Sequence, residues 1–260
     1  MQEGRPSLSL ITVSHSKGAL QCSWTVCLLA LPSEERPVNV LIMSLRTKQY
    51  FISPTFTHEK LESPSYDDLI DVFEDRTRNW LLLPASKLLD MPHCEIAAVG
   101  LLVNYFEGIE IYVTGEDSKR QSEEFFARGF GRVFSAEGHD PSFSRKIAAA
   151  IYSQARCGFA HDGMFRNRVF FNRVRPEPIL VSWLKKNGVF DQSREVESIS
   201  INPSRFYESI ETHFNRYVKT LREAVDAEAK SAFKNAVALK WGLDEPDRVI
   251  GMTEDEFFKT

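Results

Sequence analysis

A chain of 260 residues, 43% hydrophobic and 26% charged, can bury one sizeable core. Its formal net charge of −4 at pH 7 speaks against a strongly basic nucleic-acid coat, while leaving room for a local basic groove. The four cysteines (Cys22, Cys27, Cys94, Cys157) have neither paired zinc-ligand spacing nor the density of a disulfide scaffold, so a reduced, cytoplasmic chain is the expectation.

The first residues read differently from the rest. "ALQCSWTVCLLAL" is apolar but too short to span a bilayer, and it follows a polar leader rather than the basic start of a signal peptide. Met43 opens "MSLRTKQYF", a plausible alternative start, so residues 1–43 are expected to be a disordered or mis-assigned extension. One helical domain is expected over 44–241, with an acidic tail at 242–260. No internal repeat or Gly/Ser linker divides it.

The elements follow in chain order. "SPSYDDLIDVFEDRTRNWLLL" predicts a helix with Ser65 as N-cap, Asp67 and Asp68 in the first turn, and Leu69, Val72, Phe73 and Trp80 at helical spacing up to Pro84. "CEIAAVGLLVNYFEGIEIYVTG" predicts a second, broadly apolar helix stopped by Gly115. The third, "SEEFFARGFGRVFS", carries five large apolar residues and is weakened by Gly129 and Gly131. "DPSFSRKIAAAIYSQARCGFAH" predicts a fourth, with Asp140 or Ser142 capping and Pro141 in the first turn.

Past Gly163 the period changes. "RVFFNRV", "PILVSWL" and "EVESISIN" are short and β-branched or aromatic, and "KKNGVF" holds an Asn-Gly turn signal. They predict a small antiparallel β element inserted at about 166–201. Asn202 and Pro203 then open a long amphipathic helix whose stripe runs Phe206, Ile210, Phe214, Tyr217, Val218, Leu221 and Val225. The fold class is therefore mainly α: a helical bundle with a small β element before the last long helix.

The stretch "IYSQARCGFAHDGMF" holds the candidate chemistry. Residues five apart sit about 140° around an α-helix, so Arg156 and His161 share a face only if the helix end unwinds. Gly158 and Gly163 make that relaxation plausible. Arg166, Arg168 and Arg173 follow closely, with Asp162 the one acid among them, and could attract phosphate or form a solvated loop. Glu107 and Glu110, three apart on the second helix, predict a solvated or helix-pairing acidic face. His213, between Ile210 and Phe214, reads as a partly buried structural histidine. No Gly-rich phosphate loop, GxSxG elbow or HExxH motif is present.

"RCGFAH", an Arg and a His separated by four residues on a late bundle helix, resembles the signature of the HEPN superfamily. Members are α-helical bundles, many of them metal-independent endoribonucleases that work as dimers. The resemblance spans roughly residues 66–225 in helix order and six residues in motif. It implies that Arg156 and His161 form a catalytic pair facing its copy across a homodimer interface; the neighbouring arginine cluster then makes Arg166, Arg168 and Arg173 the expected substrate-binding residues. It also implies no metal and no cofactor, no membrane association, and an antitoxin-like protein partner. The residue after the Arg is Cys157, where active members commonly carry Asn, Asp or His. The competing expectation is a non-catalytic dimeric scaffold, or an RNA- or protein-binding subunit, of the same fold. In that reading Arg156 pairs with Glu107 or Glu110, and His161 sits at a helix C-terminus because the dipole favours it there.

Overall fold

The computed structural model describes residues 51–134, 141–223 and 227–242. The expected extension at 1–43, the tail beyond 242 and the capping candidate Asp140 lie outside the described residues. The protein is mainly helical with a small mixed sheet.

After a 3-10 turn (His58–Leu61), α1 spans Tyr66–Arg76. It begins as its sequence predicts: Ser65 accepts from the Asp68 backbone N–H, and the Asp68 carboxylate accepts from the Ser65 N–H, a complete capping box. Pro84 does not end the helix. The chain instead widens into a π-helical segment, Thr77–Leu82, where the Leu83 N–H reaches the Arg78 carbonyl, and continues as α2, Leu83–Leu89. A proline lacks the N–H that would bond back one turn, and its ring crowds the carbonyl there; the wider turn relieves both. Trp80, expected on the apolar stripe, is half exposed, its ring near the Arg76 guanidinium.

The apolar second helix is two: α3, Glu95–Leu102, and α4, Asn104–Thr114, broken at Val103. The combined run is long and apolar enough to cross a membrane by length and composition, but more than half of it is buried in the protein, where it forms the central wall of the core. Gly115 ends α4 at a φ of +72°, as expected, against the backbone of Ala232. α5, Ser122–Val133, packs on α4. Gly129, which lowers helix propensity, is required there because a Cβ would collide with the Phe106 carbonyl.

α6 spans Pro141–Ile151 and runs on into the candidate site. The insert follows: β1 (Val169–Phe171), β2 (Ile179–Ser182), the hairpin β3 (Lys185–Lys186) and β4 (Val189–Phe190), and β5 (Ser198–Ile201). Asn187 and Gly188 both take positive φ in the hairpin turn, which is what an Asn-Gly pair supplies. The expectation of an antiparallel element is corrected here. The sheet order is β1-β5-β2, with β5 antiparallel to β2 but parallel to β1. β5 takes the centre because Ile199 and Ile201 both point inward and are fully buried, so it gains most from neighbours on both edges.

α7, Pro203–Glu223, starts where Asn202 and Pro203 place it: the Asn202 side chain accepts from the Arg205 N–H. α8 spans Ala227–Trp241. One core joins helices and sheet. Phe106 sits at its centre, edge-on to Phe126, Phe130 and Phe206 at 5.1–5.7 Å, and Ile199 and Ile201 belong to the same cluster.

Candidate functional site

The "RCGFAH" segment is not regular α-helix. From Tyr152 to Arg156, and again from Gly158 to Asp162, the chain forms π-helical turns, closed by Gly163 in the left-handed region at φ +70°. In a π-turn hydrogen bonds run between residues five apart, so the pattern is widened by one residue over the stretch holding Arg156 and His161. This is the unwinding that a shared face for residues five apart requires.

Gly158 lets the chain double back on this segment. A Cβ there would lie 2.8 Å from the Met164 carbonyl oxygen and 3.3 Å from the Arg166 N–H nitrogen. The Arg166 N–H donates to the Gln154 carbonyl at 3.0 Å and fixes the return. Phe159 packs its ring against Gly100 of α3, leaving no room for a side chain at that position.

Arg156 is partly buried. Its guanidinium meets the Glu107 carboxylate at 3.4 Å and lies 5.6 Å from the centre of the Tyr152 ring, one turn back. Glu107 is itself anchored, accepting from the buried Ser118 hydroxyl at 2.8 Å. Burial pushes the Tyr152 hydroxyl above its ordinary pKa, with Cys157 and Glu107 adding to the shift, so Tyr152 stays a neutral donor at neutral pH. His161 is exposed in the last π-turn, next to Ala160 and Asp162, which are exposed too. Arg156 is thus held in place and His161 is presented to solvent.

The acidic pair of α4 proves to be a helix-pairing face. Glu110 is fully buried and receives the Nε of Arg128 at 2.8 Å and of Arg132 at 2.5 Å, both from α5, while Glu107 receives Arg156.

The three arginines predicted to bind substrate are each matched to a carboxylate. Arg166 meets Asp162 at 3.1 Å, Arg168 meets Glu197 at 3.7 Å, and Arg173 meets Glu95 of α3 at 2.6 Å. Two of these acids come from distant parts of the chain, which local sequence could not indicate. Arg168 lines a pocket of about 330 Å³ with Lys146 and Arg194, and Ser153 and Gln154 of the first π-segment form another wall. Arg173 is tied instead to the start of α3. Sequence reasoning passed over Ser118 and Tyr152. Tyr152 stands four residues before Arg156, one helical turn, and that spacing was the available signal.

Among the described residues no three His, Cys, Asp or Glu side chains gather as a metal site would need. Comparison with protein-family models, with curated proteins and with solved structures gives no match for this chain.

Proposed function

We propose that the protein is a HEPN-like helical-bundle endoribonuclease that works as a homodimer in the cytoplasm, with Arg156 and His161 as the catalytic pair. The observation that carries this reading is the pair of π-helical turns across the motif, with Arg156 anchored and His161 exposed. π-turns within helices cost regular hydrogen bonding and recur at functional sites. RNA cleavage suits the two side chains. An imidazole with an ordinary pKa of about 6.5 can take the proton of the 2′-hydroxyl as it attacks phosphorus. The partner copy's imidazole, protonated, can give a proton to the departing 5′-oxygen. The guanidinium, always charged, fits the non-bridging phosphate oxygens as negative charge builds on them. Glu107 and Tyr152 act as positioning residues for that guanidinium.

The test is cleavage of single-stranded RNA by the purified protein with EDTA present. Arg156→Ala and His161→Ala should each abolish it while the circular dichroism spectrum is kept; loss of one acid–base group typically costs ~10²–10⁴-fold. Cleavage that persists unchanged in His161→Ala would identify a contaminant and end the proposal. Sedimentation velocity at micromolar concentration should return a dimer; a monomer removes the composite site.

The ion pair itself favours a second reading, a non-catalytic bundle of the same fold. An Arg that is partly buried and bonded to an anchored Glu is what a structural strut looks like, and Cys157 stands where active relatives of the resembled family carry a polar residue. On that reading Arg156→Ala and Glu107→Ala lower the melting temperature by similar amounts, a double-mutant cycle shows them coupled, and no RNA is cut.

A further inference from the structure

A second site lies on α7, in a groove that shares no residue with the Arg156–His161 segment. Ser209, Thr212, His213 and Arg216 stand at positions i, i+3, i+4 and i+7, one continuous face. They line an open groove of about 400 Å³ whose opposite wall is Val133, Pro176 and Pro178, with Arg205 and Glu208 at one end. His213 is 8% exposed, and its Nδ1 meets the buried Tyr105 hydroxyl at 2.8 Å. The Nε2 edge of the ring is therefore the one left for the groove.

The charges around this imidazole are unbalanced. Arg216 on α7 and Arg132 on α5 both act on it, and Tyr105 on α4 is neutral. The acids nearby are engaged elsewhere: Glu208 holds Arg205 at 2.6 Å, and Glu110 holds Arg132 and Arg128. Arg216 has no ion-pair partner among the described residues. The Thr212 hydroxyl, the Arg216 guanidinium and the His213 ring line the groove together, while its one carboxylate among the lining residues, Glu208, is held by Arg205 and the Ser209 hydroxyl donates to the Arg205 carbonyl at 2.8 Å. We propose that this groove binds a tetrahedral oxyanion, either free phosphate or the phosphate group of a small phosphomonoester, held by Arg216 and Thr212 against His213. Arg216 supplies the charge and the fork geometry, the Thr212 hydroxyl donates to a remaining oxygen, and the apolar wall would take the body of an ester.

Binding is coupled to the proton on His213. Burial, together with repulsion from Arg216 and Arg132, pushes its pKa down to about 4. An anion seated beside the ring cancels the repulsion and favours the charged form, so the pKa rises on binding and affinity increases as pH falls.

The experiment uses the full chain and follows the His213 ring resonances by NMR against pH, identified by their loss in His213→Gln. Sulfate is the first probe, because it keeps its charge across the range. Millimolar sulfate should raise the His213 pKa by about one unit or more relative to chloride at equal ionic strength, which corresponds to tenfold tighter binding to the protonated form. Arg216→Ala, a change at an exposed position, should raise the pKa without sulfate and abolish the response to it, with the melting temperature kept. The same sulfate and chloride curves, or an Arg216→Ala response equal to wild type, would overturn the site. Phosphate and phenyl phosphate at fixed pH then separate the sources. Tighter phenyl phosphate assigns a phosphomonoester, equal affinity assigns the free ion, and displacement of neither by sulfate removes the proposal.

Discussion

Two carboxylates one helical turn apart on α4 differ in burial, Glu110 fully and Glu107 partly buried, and the difference follows from what faces them. Glu110 is fully buried, which for a lone carboxylate would be prohibitive; two guanidinium groups from α5 make it tolerable. Both arginines are about a third exposed and can turn to water when their partner is removed. Glu110→Ala should therefore cost about 1–3 kcal/mol, the range for leaving polar groups unsatisfied, rather than the larger penalty of a stranded buried charge. Urea unfolding measures it, and a change within error would show that the pair adds nothing over an apolar contact. Spacing left these acids as either a solvated or a helix-pairing face, and Arg156 was legible as a partner for one of them; Arg128 and Arg132 were not, because they approach Glu110 from 18 and 22 residues away.

At the scale of elements, what could be read in advance was what local chemistry decides. Ser65 and Asp68 close a capping box, Gly115 stops α4, Asn202 and Pro203 open α7, and Asn187-Gly188 turns the hairpin, each through contacts within a few residues. Hydrophobic period could not reveal the break at Val103, the π-turns or the parallel β1–β5 pairing. The first two shift the helix by a residue without changing which residues are apolar, and the third joins strands separated by one intervening strand and a hairpin. The candidate site depends on such a feature. Gly158→Ala should push the Met164 carbonyl and the Arg166 backbone away from the π-segment, at a cost of about 1–3 kcal/mol as overpacking. If the π-turns position the catalytic pair, RNA cleavage should fall in this variant by more than its stability loss explains at a temperature where it remains folded. Full cleavage in a destabilised Gly158→Ala protein would separate the π-turns from the chemistry.

For the whole molecule, the main question is whether the β insert is a passenger on the bundle or part of it. Its inward residues settle into the helical core: Ile199 and Ile201 are fully buried in one cluster with Phe106 and Phe206, and Trp183 packs its ring at 5.4 Å from Phe143 of α6. The strands are two to four residues long, too short to persist alone, so their stability must come from that shared core. Trp183 is the natural probe, since it belongs to the insert and touches a helix. In a variant keeping Trp183 as its one tryptophan, fluorescence and far-ultraviolet circular dichroism should report the same urea midpoint and the same slope, as a single cooperative transition demands. A fluorescence transition at lower urea than the helical one would mean that the insert opens first. The pocket between α6 and the loop before β5, and with it the placement of Arg168, would then exist only part of the time.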